Sequence, residues 1–358
     1  MRQRDVSKIP LVLLAAVLGN GSFLFGQGLP VLLNADPTKD TYELISDVLG
    51  PTPDNSDCSH QDFGEHITQA WDDDLGKYVF VFNMHMAAGA TGVTDLDVCD
   101  GHDYEDRQRE EIKTERPNSP DYLLGTADST VTYTWRFKLP DGFTVSKYFT
   151  HIHQLKSQGA DDGDTDPIIA LTPVTIGSGS HAEDMMVLQY YDGASSNAIT
   201  LAEMPLQSFV GNWVLVREQV TWGDSNNFQG QYAIVMTASD DTQLCYSNYV
   251  GGPCYDDTHN LNLWRAGGNV VVRPKWGCYR KVKDDMGGDL ALRDEQVSMS
   301  DFWLAKWTCD CCGNARNAVA RPGRATISTG FARAHLGAFD ELGVLPRTAN
   351  ARAFGAIH

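Results

Sequence analysis

The chain has 358 residues, of which 42% are hydrophobic, so it is long enough to bury a full core within one main domain. Its formal net charge of −19 argues against nucleic acid and anionic membrane surfaces as partners, because both would be repelled. The same charge opposes a polyanionic substrate unless basic residues are gathered locally.

The N-terminus has the layout of a secretory signal. Arg2, Arg4 and Lys8 precede an apolar run of ten residues from Ile9 to Leu18, which is followed by Gly and Ser. This run is too short to span a bilayer. We therefore expect residues 1–28, approximately, to be a signal peptide and the mature protein to be secreted; an N-terminal membrane anchor is the alternative.

Short alternating or β-branched segments recur between turns from about Lys77 onward, which is typical of a sandwich rather than of βαβ units. In Thr130–Phe137, aromatic and aliphatic side chains alternate with Thr and Arg, so one face belongs to the core and the other to solvent or a cleft. Only Thr41–Leu49 looks helical. The sequence predicts an all-β main domain over residues 29–312.

Residues 313–358 have a different composition, with six Arg, two acidic residues, no Lys and no strand pattern. We expect this tail to be a poorly ordered extension, and the sequence assigns it no function.

The eight cysteines fit an oxidising compartment. Cys245 and Cys254 flank a short loop that contains Gly-Gly-Pro, and they are the pair most easily joined. Cys309, Cys311 and Cys312 crowd the end of the last predicted strand, but no clear second Cys/His pair accompanies them, so we do not expect zinc there.

The acidic run Asp161–Asp166 is interpreted as a solvated loop. Carboxylates at alternate positions, Asp162, Asp164 and Asp166, suit a hard cation, so a structural calcium ion is the alternative. No other cofactor is expected to be required.

The first segment that could carry chemistry is Asp106–Lys113. On a strand, Arg107, Arg109, Glu111 and Lys113 share one face, and four charges cannot face an apolar core without partners. They line a cleft or, alternatively, meet solvent on an edge strand.

The second segment is Thr150–Lys156. Strand alternation divides its side chains between two faces, with Ile152, Gln154 and Lys156 on one and His151, His153 and Leu155 on the other. Gln and Lys side chains can hydrogen-bond and neutralise a carboxylate, and either His could be a general base or simply a structural residue. The pattern does not decide which face meets a cleft.

The third segment is Arg273–Arg280, in which Lys275, Gly277 and Tyr279 share one face. A glycine between a cationic and a phenolic side chain leaves room for a ligand to approach the backbone, whereas an ordinary packed Tyr is the alternative. Because charges are screened over roughly 8 Å, a local cationic cleft built from these segments could outweigh a distant acidic surface.

The three segments together resemble the polysaccharide lyases of concanavalin A-like jelly-roll fold, which include alginate lyases, heparin lyase I-like enzymes and glucuronan lyases. Those alginate lyases show an Arg-x-Glu-Leu strand, a Gln-Ile-His strand and a Tyr-Phe-Lys-x-Gly-x-Tyr strand, in that order. This chain has Arg109–Ile112, Gln154–Lys156 and Pro274–Tyr279. Longer stretches look like the heparin lyase-like or glucuronan lyase-like branch: Asp106–Arg109, Phe149–Lys156, Arg273–Gly277 and Leu292–Glu295.

The resemblance covers roughly Tyr42 to Trp307. It implies a β-jelly-roll sandwich of two antiparallel sheets with a concave substrate cleft. It also implies an enzyme that cleaves a uronic-acid polysaccharide, such as glucuronan, alginate or a heparin-like chain, by β-elimination. We expect this secreted protein to be a monomer.

The resemblance also implies roles for individual residues. Tyr279 would be the acid or the combined acid and base, with Gln154 and Arg109 neutralising the substrate carboxylate and His102 or His85 as the candidate base. The expected substrate-binding residues are Arg107, Lys156, Lys275, Arg273, His85, His151 and His153. The family's Gln-x-His becomes either Gln154-x-Lys156 or His151-x-His153 here, so the base stays open among four histidines.

Two other classes compete with a lyase. A non-catalytic carbohydrate-binding sandwich would share the fold and the secretion, but it needs no Tyr surrounded by cations. A glycoside hydrolase needs two carboxylates about 5 to 10 Å apart. Glu110 and Glu111 are adjacent on a strand and point to opposite faces, so this pair does not meet that requirement.

Overall fold

The structure is a computed structural model of the whole chain. It describes residues 26–27, 30–86, 95–99, 101–161, 166–193, 197–223, 230–256, 258–284, 287–288 and 292–308. The predicted signal segment, apart from residues 26–27, lies outside these residues, as do the tail 313–358, Asp162, Asp164 and the Cys309 cluster.

Almost all regular structure is β. The strands in chain order are β1 (Gly26–Gln27), β2 (Val31–Leu33), β3 (Ile67–Asp72), β4 (Lys77–Met84), β5 (Arg107–Lys113), β6 (Thr130–Lys138), β7 (Thr150–Gln158), β8 (Ile169–Ile176), β9 (Glu183–Tyr190), β10 (Ile199–Pro205), β11 (Trp213–Thr221), β12 (Gln231–Ala238), β13 (Gln243–Ser247), β14 (Val271–Lys281), β15 (Lys283–Asp284), β16 (Gly287–Gly288) and β17 (Glu295–Thr308). Short 3-10 turns occur at Asp121–Leu123, Gly179–His181 and Leu206–Ser208.

The helix α1 spans Thr41–Leu49, which are the residues that the sequence predicts. It begins where the Asp40 carboxylate accepts a hydrogen bond from the Glu43 N–H, and it ends at Gly50, whose φ is 104°. Of the described residues, no helix has the length and apolar composition needed to cross a bilayer.

Two antiparallel sheets form the sandwich. One has the strand order β13-β12-β11-β6-β17-β4-β3, with β1 and β2 also pairing with β17, and the other has the order β10-β9-β8-β7-β14-β5. The all-β sandwich of two antiparallel sheets is therefore confirmed. Strands β3 and β5 stand at the edges of their respective sheets.

The core lies between the sheets and follows the alternation predicted for β6. Val131, Tyr133, Trp135 and Phe137 are all buried there. Trp276 of β14 packs against Tyr133, with their ring centroids 5.9 Å apart. Aromatic side chains bury a large apolar area each, so these contacts contribute much of the favourable energy that joins the two sheets.

Two disulfides are present among the described residues. Cys245 is joined to Cys254, as the sequence predicts, and a second bond joins Cys58 to Cys99. Cys278 is a free thiol buried in the core, and burial raises its pKa to about 12.

Candidate active site on the six-stranded sheet

The three segments singled out in the sequence become adjacent strands. Strand β14 pairs with β5 on one side and with β7 on the other, both antiparallel. Tyr279 consequently lies opposite Arg109 on β5 and opposite His151 on β7. Antiparallel pairing of strands far apart in sequence thus brings the predicted residues together.

Strands β5 and β14 keep a regular register, so the predicted faces are confirmed for both. Lys275, Gly277 and Tyr279 pair in turn with Lys113, Glu111 and Arg109. The intervening Ile112, Trp276 and Cys278 belong to the core. The polar set therefore lies on the outer face of the six-stranded sheet.

Strand β7 departs from simple alternation. Trp276 pairs with His153 and Tyr279 with His151, so three steps along β14 face two steps along β7, an irregularity typical of a β-bulge. His151 and Gln154 consequently reach the same outer face, although alternation places them on opposite faces. Alternation alone allowed either Gln154 or His151, but not both, to lie on the cleft face, whereas the structure has both on the outer face.

His153 lies on the opposite side of β7, in the core. It is fully buried, its Nε2 lies 2.9 Å from Glu218 Oε2, and its ring stacks on Trp276. Tyr232 Oη donates a second hydrogen bond to the Glu218 carboxylate. In this position His153 supports the inter-sheet packing and cannot contact a substrate on the outer face.

Gly277 has a structural role that differs from the ligand approach expected from its sequence context. Its φ is 138°, and a Cβ built there would lie 2.0 Å from the Glu110 carbonyl oxygen of β5. The missing side chain therefore makes room for the neighbouring strand rather than for a ligand.

Gly277→Ala is expected to lower the free energy of unfolding by about 2–3 kcal/mol, from backbone strain and from overpacking against β5. Chemical denaturation followed by circular dichroism measures this. Gly268→Ala is the matched control, because a Cβ at Gly268 meets nothing within 4 Å. Equal stabilities of the two variants would contradict the role given to Gly277.

Tyr279 lies beneath two guanidinium groups. Arg107 Nη1 donates a hydrogen bond of 2.8 Å to Tyr279 Oη, and Arg109 Cζ stands 4.1 Å from the centroid of the phenol ring. Burial raises the pKa of Tyr279, and the two cations only partly offset this effect. The phenol is therefore protonated at neutral pH and is suited to act as an acid.

His151 is buried beside Tyr279, with ring centroids 6.2 Å apart. Its Nδ1 lies 2.7 Å from Thr172 Oγ1, and its ring stacks on Phe149. Burial lowers the pKa of His151 to about 4, and the nearby cations Lys156, Arg109 and Lys275 add to the effect. The imidazole is neutral at physiological pH and can accept a proton.

Carboxylates compensate much of the positive charge on this face. Lys275 Nζ lies 2.8 Å from Asp54 Oδ2 and 2.7 Å from Glu111 Oε2. Lys113 also contacts Asp54, at 2.7 Å, and Arg109 contacts Asp97, at 3.0 Å. The expected cationic cleft is thus a network of alternating charges, because Asp54 and Asp97 come from loops whose approach the sequence did not reveal.

The amide of Gln154 and the cations Arg273 and Lys156 have different surroundings. Gln154 Nε2 donates to Glu111 Oε1 at 2.6 Å, while Arg273 pairs with Glu115. Burial lowers the pKa of Lys156 to about 8, helped by Lys275 and Arg109. Lys156 is therefore mostly charged at neutral pH.

The other two histidines lie farther from Tyr279. His102 Nε2 is 3.7 Å from Asp54 Oδ1, and Asp54 in turn contacts Arg109, which stands over Tyr279. His85 Nδ1 lies 2.9 Å from Asp95 Oδ2, and the His85 carbonyl accepts a hydrogen bond from Gln108, whose position on β5 faces away from the outer surface. Of the four candidate histidines, His151 is the one paired with Tyr279 across neighbouring strands.

No family model matches the chain, and no curated protein matches it. Among solved structures it is similar to an endo-β-1,4-glucuronan lyase from the fungus Trichoderma reesei, with 14% identity over 68% of this chain and 87% of that chain and a TM-score of 0.37. It is also similar to a marine alginate lyase from Aplysia kurodai, with 13% identity over 76% of this chain and 97% of that chain and a TM-score of 0.46.

An alginate lyase from Pseudomonas aeruginosa is a third similar structure, with 14% identity over 70% of this chain and 90% of that chain and a TM-score of 0.38. Glucuronan lyases and alginate lyases, which the three motifs resemble, are also among the similar solved structures. At these identities the likeness concerns the fold, so an assignment of activity depends on the residues of the site itself.

Proposed function

We propose that the protein is a polysaccharide lyase that cleaves a uronic-acid polymer by β-elimination on the outer face of the six-stranded sheet. The observation that carries the proposal is the pair formed by a protonated Tyr279 and a neutral His151 on adjacent strands, with Arg107 and Arg109 over the phenol. One group can give a proton and the other can take one, without a change of pH.

β-Elimination requires three catalytic functions from the protein. The C5 proton of a uronate becomes acidic enough only when its carboxylate is neutralised, a base must remove that proton, and an acid must protonate the leaving oxygen at C4. The electron pair of the C5–H bond then forms the C4–C5 double bond as the C4–O bond breaks. Each of these three functions has a candidate residue on this face.

His151 is the proposed base. With its Nδ1–H donated to Thr172 Oγ1, the imidazole presents the Nε2 lone pair for the C5 proton. Tyr279 is the proposed acid, since its raised pKa keeps the phenolic proton in place until the oxygen leaves. His102, one of the bases considered from the sequence resemblance, is the alternative at the Asp54 end of the site.

Arg109, Gln154 and Lys156 are the proposed groups that neutralise the substrate carboxylate. Arg109 stands over the Tyr279 ring, with its Nη2 3.0 Å from Asp97 Oδ2 and its Nε 3.8 Å from Glu111 Oε2. A uronate carboxylate bound beside this group would be stabilised by its positive charge as negative charge develops. Arg107 and Arg273 would contribute to substrate binding through their charge.

A glycoside hydrolase is less well supported by the same geometry. Its general acid would be a carboxyl group with a raised pKa. Two carboxylates of the site, Asp54 and Glu111, share the Lys275 ammonium. Burial raises the pKa of each, but the neighbouring cations lower it overall. Both remain ionised and cannot donate a proton. Burial raises the pKa of Asp97, but its carboxylate is paired with Arg109 Nη2 at 3.0 Å.

The purified mature protein is expected to produce unsaturated oligosaccharides from at least one of polyglucuronate, alginate or a heparin-like chain, and none from cellulose, which lacks the carboxylate. Ultraviolet absorbance of the conjugated C4–C5 double bond measures this directly. Reducing ends that appear without absorbance would favour a hydrolase, and binding without either signal would favour a carbohydrate-binding module.

The same proposal includes secretion and action as a monomer, with no cofactor needed in the elimination step. The two disulfides agree with an oxidising compartment. A structural calcium ion near Asp166 remains a prediction from the acidic run.

A further inference from the structure

Three histidines and one aspartate converge at a second place in the molecule. His60 Nδ1 lies 2.7 Å and His66 Nε2 lies 3.0 Å from Asp95 Oδ1, while His85 Nδ1 lies 2.9 Å from Asp95 Oδ2. The four potential ligand atoms all lie within 4.8 Å of one another. We call these four residues the His3Asp cluster.

The imidazoles of the His3Asp cluster surround a common centre. Their ring centroids form a nearly equilateral triangle, with separations of 5.5, 5.4 and 5.4 Å. Ligand atoms held 2.0–2.1 Å from a tetrahedral ion are roughly 3.3 Å apart. The ligand atoms of the His3Asp cluster therefore surround a volume that suits a single ion.

The cluster lies between the edges of the two sheets. His66 immediately precedes β3, and His85 immediately follows β4, so both belong to the edge of the nine-stranded sheet. Glu110 of β5, the edge of the six-stranded sheet, is fully buried and interacts electrostatically with His66 and Asp95. Because Glu110 and Arg109 are adjacent on β5, the cluster and the proposed active site lie on opposite faces of this strand.

A carboxylate outside the cluster orients His66. Asp57 Oδ1 accepts hydrogen bonds from the His66 backbone N–H at 2.9 Å and from His66 Nδ1 at 2.8 Å, and Tyr42 Oη donates to Asp57 Oδ2 at 2.9 Å. Metal-bound histidines commonly donate their second ring N–H to a carboxylate in this way. The arrangement leaves Nε2 of His66 directed at the centre of the cluster.

The charges around the cluster favour a cation. The carboxylates of Asp57 and Asp95 both contact the His66 ring. His66 has a carboxylate oxygen at each ring nitrogen, so without a metal ion both hydrogen bonds require a doubly protonated ring. A metal ion at the centre would take the place of that second proton.

The backbone holds the ligands in place. The disulfide between Cys58 and Cys99 ties the segment that carries His60 to the segment that carries Asp95. Asp95 has a φ of 57°, a left-handed conformation that is uncommon outside glycine. Local strain of this kind persists where the surrounding structure over-determines it, as at binding sites.

We propose that His60, His66, His85 and Asp95 bind one divalent cation of the zinc class, which joins the edge of the nine-stranded sheet to the loop beside β5. Three imidazoles and one carboxylate suit zinc far better than calcium or magnesium, which prefer oxygen ligands. Four protein ligands complete a tetrahedral shell, so the ion has a structural role. The proposal does not depend on the function proposed for the outer face.

The metal content of the full mature protein tests this site. Purified without chelators or immobilised-metal columns, the protein is expected to contain about one zinc per chain by inductively coupled plasma mass spectrometry. After removal of metal with EDTA, zinc chloride at one hundred times its Kd should raise the unfolding temperature by roughly 5–10 °C. Cobalt chloride should give the visible absorption of a tetrahedral cobalt centre.

His60→Ala is the variant of choice, because His60 has the most exposed side chain of the four ligands, at 26%. This variant should lose the bound zinc and the temperature shift, whereas the exposed His181→Ala should keep both. Full zinc content in His60→Ala would overturn the proposal. So would a wild-type protein that neither retains zinc nor responds to added zinc, or one that retains calcium instead. If His60→Ala fails to fold, the wild-type zinc content and cobalt spectrum decide.

Discussion

Tyr279→Phe is expected to lower kcat/KM on a uronic-acid polymer by about 10²–10⁴-fold, the range attributed to general acid–base catalysis. The change removes the proton that the leaving oxygen needs and leaves the ring in place beneath Arg109. Initial rates of ultraviolet absorbance on the best substrate measure the loss. The unfolding temperature should change little, because the ring keeps its packing and Arg107 and Arg109, which interact with the hydroxyl, keep their ion pairs with Asp106 and Asp97.

Tyr246→Phe is the matched control for this loss of a phenolic hydroxyl. Tyr246 is buried in the nine-stranded sheet, and its Oη is one of the described buried atoms without a hydrogen-bond partner. This variant should keep parental activity. If Tyr279→Phe were fully active and folded, the acid would have to be another group, and the proposed mechanism would fail.

The second large effect is expected from Lys275→Met. Lys275 is 3% exposed and holds the buried carboxylates of Asp54 and Glu111. Removing one partner from a buried ion pair typically costs about 3–5 kcal/mol, because the remaining charges stay buried and uncompensated. Denaturant unfolding at pH 7 should show a loss of this size.

The pH dependence of that loss provides a second measurement. Although burial raises the pKa of Asp54 and Glu111, the charge of Lys275 and its neighbours lowers both overall. Carboxylates with a lowered folded-state pKa stabilise the fold above their unfolded-state pKa, near 4, and lose that contribution as the pH falls through the folded-state value. Without Lys275 the carboxylates protonate more easily, so the deficit of the variant should narrow below about pH 4.

Lys77→Met removes the same side chain from a surface pair with Asp301, in which both partners are about one-third exposed. Exposed pairs contribute at most about 1 kcal/mol, so this control should unfold almost like the parent. Equal losses in the two variants would show that the buried network around Lys275 does not hold β14 and β5 together.

Alternation allowed much of this site to be predicted from the sequence. The outward positions of Arg109, Lys275 and Tyr279 follow from a two-residue period, because β5 and β14 pair without a register shift. The same period fails at His151, since the irregularity between β7 and β14 depends on a partner strand more than a hundred residues away. No local pattern in Thr150–Lys156 records that shift.

The residues that the sequence did not reveal come from loops. Asp54 and Asp97 lie on loops that the tertiary structure brings beside the outer face, and no strand pattern in the sequence marks their positions. The histidines of the His3Asp cluster have no short fixed spacing, and a search for paired cysteines and histidines passes over them. Side chains that assemble only through tertiary structure leave no periodic signal to interpret.

The side chains on the two faces of β5 constrain the register of this edge strand. Most strands keep their register because one face is apolar, whereas here Arg109 and Glu111 face the outer surface and Glu110 faces the inter-sheet edge. A slip of one residue would turn Arg109 inward, away from Asp97, and would turn Glu110 and the buried Ile112 outward. The ion pairs of the outer face and the burial on the inner face therefore set the alignment of this strand together, and a single-residue insertion or deletion within it would be tolerated poorly.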